Sequence, residues 1–462
     1  MLPPALAEYH EATKHTPERL RASRHFLDWA NMPEPFRHYE GAPLVDLPAG
    51  PPLEPGLSGA QALSALFFYS CAISAAKQAP SGYRYALRVN PSSGNLHPTE
   101  FHFHARGLPG WDDGLYHYRP SSHMAERRAR GDCLGELSPA PLVVILTSIF
   151  WREAWKYRAR AYRYVNHDLG HAMLAVQYAA GAMGWPSRVR GLFDDNALAA
   201  ALRASGDEQP MLLAELWPPA DTPSPAPCEW TPGEPNRLSE EVISYPLIER
   251  MHAATLRCSA APAPPEPRIV RWEAGDYRML ARQRRSALDF LAGGRVLPRA
   301  AFDAMCALLE EPLVADWGGP FVTVFLYVHR VEGAAPGLYR LERGELRLVR
   351  EGDQRVVAAA LSLGQELAGN SCFTVSFVAD LGRAAAQFGD RAYRFVHHEA
   401  GALGHRLYLA AEAFGFRGTG IGAFYDDHVH AWLGLDARGP QQVVYHFAVG
   451  DPVPDPRLSP EV

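Results

Sequence analysis

Two rhythms of apolar and polar positions run along the chain. Short strand-like runs occur at FHFHAR from Phe101, GLYHY from Gly114, and the Val/Leu-rich PLVVILTSIF from Pro141. They recur as GLYRLER from Gly337 and FTVSFVAD from Phe373. Their β-branched and aromatic content predicts strands, largely buried. Longer stretches carry a helical stripe: Leu169, Ala172, Met173, Val176 and Ala180 in one, Ala400, Leu403, Leu407, Ala410 and Ala411 in the other. Three- and four-residue spacing predicts two long helices, and their small residues permit close helix–helix approach. The pattern alone allows either ordinary intradomain core or a central helix pair between two like units.

The order of elements repeats. RAYRYVNHDLG begins at Arg160 and RAYRFVHHEAG at Arg391, half a chain apart. GLYHYRP at Gly114 is echoed by GLYRLER at Gly337. In each half a GLY strand precedes an apolar strand, which precedes the helix that starts at RAYR. Matching order predicts two copies of one domain of about 200 residues. Between them, residues 218–236 and 259–268 are rich in proline and poor in large apolar residues, as an extended connector is. A helix-like stretch, LSEEVISYPLIERMHAATL, separates the two. The expected division is 1–217, a connector 218–268, and 269–462.

Composition narrows the function classes. The 462 residues carry 45 basic and 51 acidic side chains, net −6, which argues against binding nucleic acid through a basic face. The 47% hydrophobic fraction argues against a disordered chain. No apolar run approaches the roughly 18 residues that span a bilayer. The first residues show no basic segment followed by an apolar one, so no signal peptide is evident and a cytoplasmic location is expected. The six cysteines are scattered without Cys-x-x-Cys spacing. They are expected to be small buried hydrophobes in a reducing compartment, forming neither a disulfide framework nor a zinc site.

The copies have lost different parts. Arg284-Arg285-Ser286, followed by Phe290 and an apolar helix, suits an anionic phosphate, although a basic pair before a helix is often simply solvated surface. The first copy has VDLPAGPPLEPGLS there, without arginine. The first copy instead holds Pro91-Ser92-Ser93-Gly94-Asn95-Leu96-His97-Pro98-Thr99-Glu100. Such a loop can present short donors and acceptors to the edge of a planar heterocycle, or be a simple turn. The second copy has PLVADWGGPF. Lys156-Tyr157 before the first RAYR helix becomes Gln387-Phe388, which cannot exchange protons near neutral pH. Gly418-Thr419-Gly420-Ile421-Gly422 after the second helix corresponds to the bulkier Ser187-Arg188-Val189-Arg190-Gly191. Each half keeps what the other has dropped, which predicts one composite site. His167 and His171 lie one turn apart, and His97, His102, His104, His117 and His123 cluster in the first copy. None completes a ligand pattern, and no metal is expected. The Gly-x-Gly-x-Gly run follows a helix rather than a strand, which argues against a dinucleotide-binding Rossmann unit.

These residues resemble the flavin-dependent nitroreductase superfamily. The Arg284-Arg285-Ser286…Phe290 segment and the loop from Pro91 look like its FMN-binding segments. GLYHY and KYRARAYRY, in that order, are similar to the azoline-dehydrogenase (SagB/ThcOx-type) branch, and the N-terminal YHEATKHTPERLRA to its tandem members. The resemblance covers most of both halves. It implies an α+β protein of two tandem nitroreductase-like domains forming an intramolecular pseudo-dimer, with the long helices packed between the halves. It implies one FMN per chain. Arg284 and Ser286 would hold the phosphate, with Arg457 as a second cation and Arg285 near the ring or ribityl chain. Pro91, Ser92, Ser93 and Asn95 would face the pyrimidine edge, and Gly420, Ile421 and Gly422 the N5 side. Lys156 and Tyr157 would be the catalytic pair, one of them a base with a lowered pKa. The implied activity is oxidation of a thiazoline or oxazoline, in a peptide or small heterocycle, by hydride transfer to N5. The same fold serves NAD(P)H-dependent reduction of nitro compounds or quinones, or flavin binding without catalysis. The electron partner would be NAD(P)H or O2. His97 and Arg158 depart from the branch, where tyrosine and glycine are usual.

Overall fold

The computed structural model describes residues 2–23, 26–79, 81–223, 226–258 and 263–459. The two sets of strands form two antiparallel sheets of matching order. In the first, Met124–Arg130, Gly114–Arg119, Thr99–Ala105, Leu142–Ser148, Gln209–Leu216 and Ser187–Arg190 lie side by side. In the second, the order is Glu345–Glu351, Gly337–Glu342, Val322–Val328, Phe373–Asp380, Gln441–Gly450 and Arg417–Ile421. Each central strand is buried on both faces, so it reads as a continuous apolar run rather than an alternation. The period of two still sorts the residues. Val144 and Leu146 join the main core, whereas Val143 and Ile145 pack with Leu198 and Leu202 of the helix Asp195–Leu202 on the other face.

The long helices, Ala161–Ala182 and Ala392–Ala413, pack against one another between the sheets. Their apolar stripe does not decide which side is buried, because nearly every residue of both is buried. Two glycines set their separation. A methyl group on Gly170 would sit on the His398 carbonyl oxygen, and one on Gly401 on the His167 carbonyl oxygen. Replacing Gly170 with Ala must therefore push the helices apart. The expected cost is about 1–3 kcal/mol, the range for overpacking a dense core, read as a lowered melting temperature.

The RAYR arginines explain their own recurrence. Arg160 and Arg163 hold Asp426 at 3.0 and 2.8 Å. Arg391 and Arg394 hold Asp195 at 2.5 and 3.2 Å. Each aspartate opens a helix of the opposite half, where a negative charge also suits the helix dipole. Burial alone would raise Asp426, but the two guanidiniums hold its carboxyl well below the usual range.

Both ends of the chain cross between the halves. The helix Pro4–Ala12 docks on the second half, with Leu6 N–H donating to Asp390 and His10 Nε2 2.9 Å from Gln442 Oε1. Leu458–Ser459 pairs with the strand Ile73–Gln78 of the first half. The connector is not a bare tether. Glu229–Trp230 extends the first sheet, Glu234–Pro235 pairs with Tyr39–Glu40, and Pro246–Thr255 forms a helix.

The cysteine expectation needs correction. Cys133 and Cys228 are joined in a disulfide that pins the connector to the turn after Met124–Arg130, while Cys71, Cys306 and Cys372 are free and buried and Cys258 is free and exposed. The two partners are 95 residues apart, so local spacing carries no sign of the bond. Among the described residues no helix is long and apolar enough to cross a membrane.

Candidate active site

Where the halves meet lies a cavity of about 340 Å³. The first half supplies the loop from Asn90 to His97, together with Lys77, Arg88, Tyr157, Tyr164, Asp168 and His171. The second supplies Arg284, Arg285, Ser286, Tyr408, Thr419 to Ala423, and Tyr445. Thus Pro91, Ser92, Ser93, Asn95 and Tyr157 meet the arginine segment and Gly420, Ile421 and Gly422 across the junction. Lys156 stands at the edge: a methyl on Gly94 would lie 2.6 Å from the Tyr157 hydroxyl and 3.2 Å from Lys156 Nζ. Arg457 is not in the lining. It pairs with Asp455 at 2.8 Å, and the same aspartate holds Lys77, which does line the cavity, at 2.9 Å.

One end of the cavity is built for an anion. Arg284 follows the helix Tyr277–Gln283 and reaches into the first half, where Nε donates to Val89 O at 2.8 Å and Nη2 to Arg88 O at 3.1 Å. Its guanidinium lies over the Tyr408 ring. Arg285 donates to the carbonyls of Arg282, Arg284 and Ser74. Among the described residues, Arg284 Nη1, Arg285 Nε, and Arg88 Nε and Nη1 are buried with no hydrogen-bond partner. Burial lowers all three guanidiniums. Arg285 falls to about 9 through burial and then the neighbouring Arg284. Unpaired buried cations are costly, and a phosphate would satisfy several donors at once. Ser286 Oγ lies 2.8 Å from the Tyr408 hydroxyl, which also accepts from Gly420 N–H at 3.0 Å.

The opposite wall is the Pro91–His97 loop. Ser93 donates to Asp168 from its backbone N–H at 3.0 Å and its hydroxyl at 3.0 Å. His97 N–H donates to Ser92 Oγ at 2.8 Å. Asn95 lines the cavity, yet its side chain serves the loop: Nδ2 donates to Ala86 O, and Oδ1 lies 3.0 Å from His97 Nε2. On the second half, side chains at Gly420 and Gly422 would collide with Tyr445 and Tyr164, so that wall is held open by the lack of side chains.

At Tyr157 the electrostatics differ from expectation. Burial, reinforced by Glu153, Tyr164 and Asp168, pushes the Tyr157 hydroxyl well above its ordinary value. Tyr157 therefore stays protonated near neutral pH and is fitted to give a hydrogen bond rather than to act as the base. Arg158, next in the chain, adopts φ 52° and ψ −139°; Gly389, its counterpart, has φ 58° and ψ −140°. That region is essentially reserved for glycine and costs other residues of order 1–3 kcal/mol. Replacing Arg158 with Gly is expected to stabilise the fold by about 1 kcal/mol, since added backbone freedom offsets part of the relief. Calorimetric unfolding would show the gain.

The symmetry-related position is filled. Trp317 is buried and stacks on Phe395, the counterpart of Tyr164, with ring centroids 4.9 Å apart. It also lies against Gly191, the counterpart of Gly422. Asp316 accepts from Gly191 N–H at 2.8 Å and from Leu192 N–H at 3.0 Å. The histidines are used in packing and ion pairs. His117 lies between Glu126 and Glu100, His102 pairs with Glu208, and His167 stacks on Tyr445.

Sequence reasoning missed Arg88, Lys77, Glu153, Asp168, Tyr408 and Tyr445. A signal existed for Asp168, whose counterpart Glu399 is also acidic within the repeated RAYR segment and likewise accepts backbone N–H groups, from Phe321 and Val322 at a strand start. Arg88 lies just ahead of the loop. The two tyrosines come from a distant helix and strand, and no local pattern marks them.

This fold and this cavity define a class: an α+β chain of nitroreductase fold in two like halves, with a cavity where the halves meet. Residues 322–451 match the model of the Nitroreductase family. The chain is 29% identical over 137 residues, covering 28% of this chain and 68% of the other, to a protein of Methanocaldococcus jannaschii whose name carries a provisional nitroreductase assignment. A crystal structure from Anabaena variabilis, provisionally assigned in the same way, superposes with a TM-score of 0.81 at 27% identity. That match covers 98% of this chain and 100% of the other, so it extends over both halves.

Proposed function

We propose that the chain binds one FMN between halves 1–217 and 269–462, with 218–268 as connector, and works as a dehydrogenase of the thiazoline- or oxazoline-oxidising type. The observation that carries the reading is the composite cavity with its buried, partnerless guanidinium nitrogens. Arg284, Arg285 and Ser286 would hold the phosphate with help from Arg88, and Lys77 takes the place anticipated for Arg457. Ser92, Ser93 and the loop backbone would face the pyrimidine edge, and the wall from Gly420 to Gly422 the N5 side. Bound FMN would supply a two-electron hydride acceptor. Lys156 Nζ would take the carbon-bound proton of the substrate, while the Tyr157 hydroxyl orients the reacting heterocycle by donating a hydrogen bond. Trp317 and Asp316 support a single flavin, because they fill the second position.

A second reading is NAD(P)H-dependent reduction of nitro compounds or quinones, and the names of the two relatives favour its nitro-reducing form. The two readings differ in electron flow. Anaerobic NADPH should leave the flavin of a dehydrogenase oxidised, whereas rapid bleaching would establish the reductase. The absorbance spectrum of the purified chain should give a flavin-to-chain ratio near one. A ratio near two would overturn the single site, and a colourless chain that takes up no FMN would overturn flavin binding.

A further inference from the structure

Glu153 has no task in the reading above. It lies in the helix Phe150–Tyr157, one turn before Tyr157, and is fully buried. Among the described residues neither of its carboxyl oxygens has a hydrogen-bond partner. Its electrostatic neighbours are Asp168, Lys156 and Ser92. A carboxylate buried without donors is costly, so a carboxyl in this setting keeps its proton. Asp168 is equally buried but differently served. The Ser93 N–H reaches Oδ1 at 3.0 Å and Oδ2 at 3.2 Å, and the Ser93 hydroxyl donates to Oδ1 at 3.0 Å. The Ser93 donors reach Asp168 and not Glu153, which divides the pair. Two carboxyls sharing one site do not both ionise readily.

We propose that Glu153 and Asp168 form a proton-sharing carboxyl pair beneath the Ser92–Ser93 loop, in which Glu153 keeps the proton and Asp168 carries one negative charge that anchors the loop and sets the potential at that wall of the cavity. What the cavity feels rests on the flavin reading; the proton arrangement does not. Both are positioning residues that act through Ser93. Burial pushes Asp168 up to about 7 against the pull of Ser92 and Ser93, and pushes Glu153 well above its ordinary range, with Asp168 adding to the effect. The other groups facing the pair come from each element around it. Lys156 and Tyr157 come from the helix of Glu153, Tyr164 and His171 from the helix of Asp168, and Tyr445 from the second half. Burial keeps the three phenols and the imidazole neutral. As pH falls through about 7 Asp168 takes up a proton, the pair loses its charge, and the anchor on Ser93 weakens.

Infrared spectroscopy of the full chain tests the proton directly. At pH 8 the wild type minus Glu153→Gln difference should show a carboxylic-acid C=O band, and the wild type minus Asp168→Asn difference should show none. In flavin-loaded protein at pH 8, Asp168→Asn should raise the flavin midpoint potential, while Glu153→Gln leaves it where it is. The wild-type potential should also step near pH 7, a step lost in Asp168→Asn. Absence of the acid band, or an equal potential shift in Glu153→Gln, overturns the proposal. A band in a chain that binds no flavin supports the pair and overturns the flavin reading instead. Should Asp168→Asn fail to fold, Ser93→Ala carries the test: loss of a donor to Asp168 should move its ionisation to higher pH, and an unmoved ionisation overturns the assignment.

Discussion

Arg284→Ala is expected to yield a folded, colourless chain. Arg284 is buried at the junction, donates to two carbonyls of the other half, and keeps Nη1 without a partner at the anion end of the cavity. Truncating one member of a buried, hydrogen-bonded charge pair costs about 2–5 kcal/mol. At 1.4 kcal/mol per decade, FMN affinity should fall about 30-fold to a few thousand-fold. Fluorescence titration with FMN measures the loss, and circular dichroism checks that the chain is folded. Arg284→Lys should recover part of the affinity, since it restores the charge but not the forked donor geometry. Unchanged affinity in Arg284→Ala would remove the phosphate assignment.

The second large effect falls on turnover. Replacing Lys156 with Ala and Tyr157 with Phe together should leave a yellow, flavin-loaded chain, because neither group belongs to the anion end. Turnover should drop by about 10²- to 10⁴-fold, the usual contribution of a positioned acid–base group. The single variants should separate the roles. Lys156→Ala should carry most of the loss, since the Tyr157 hydroxyl is held protonated by burial. Full turnover in the double variant would show that the pair is structural.

Much of the candidate site was legible because chemistry and repetition coincide in the sequence. Arg284-Arg285-Ser286, the Pro91–Asn95 loop and the Gly420–Gly422 wall stand out when each is set beside the counterpart that lacks it, and all of them line one cavity. The contributions of Asn95 and Arg457 were less legible. Asn95 has the right donor and acceptor, but Ala86 and His97 use them. Arg457 has the right charge, but Asp455 two residues earlier claims it, and the cation in the lining is Lys77. Side-chain chemistry can be read from a letter, whereas competition for that side chain depends on what folds beside it.

By itself the sequence determined the elements and their duplication. Strand and helix periodicity, the repeated RAYR segment and the proline-rich connector are local properties, and the complementary losses predict one shared site. The tertiary structure decided what depends on residues distant in the chain. It crossed the termini between halves, joined Cys133 to Cys228, placed Trp317 in the second position, and set Glu153 behind Asp168. The physical reason is that burial and partnership, rather than residue type, fix the energy of a charge or a ring. Those surroundings exist only once the two halves have closed on one another.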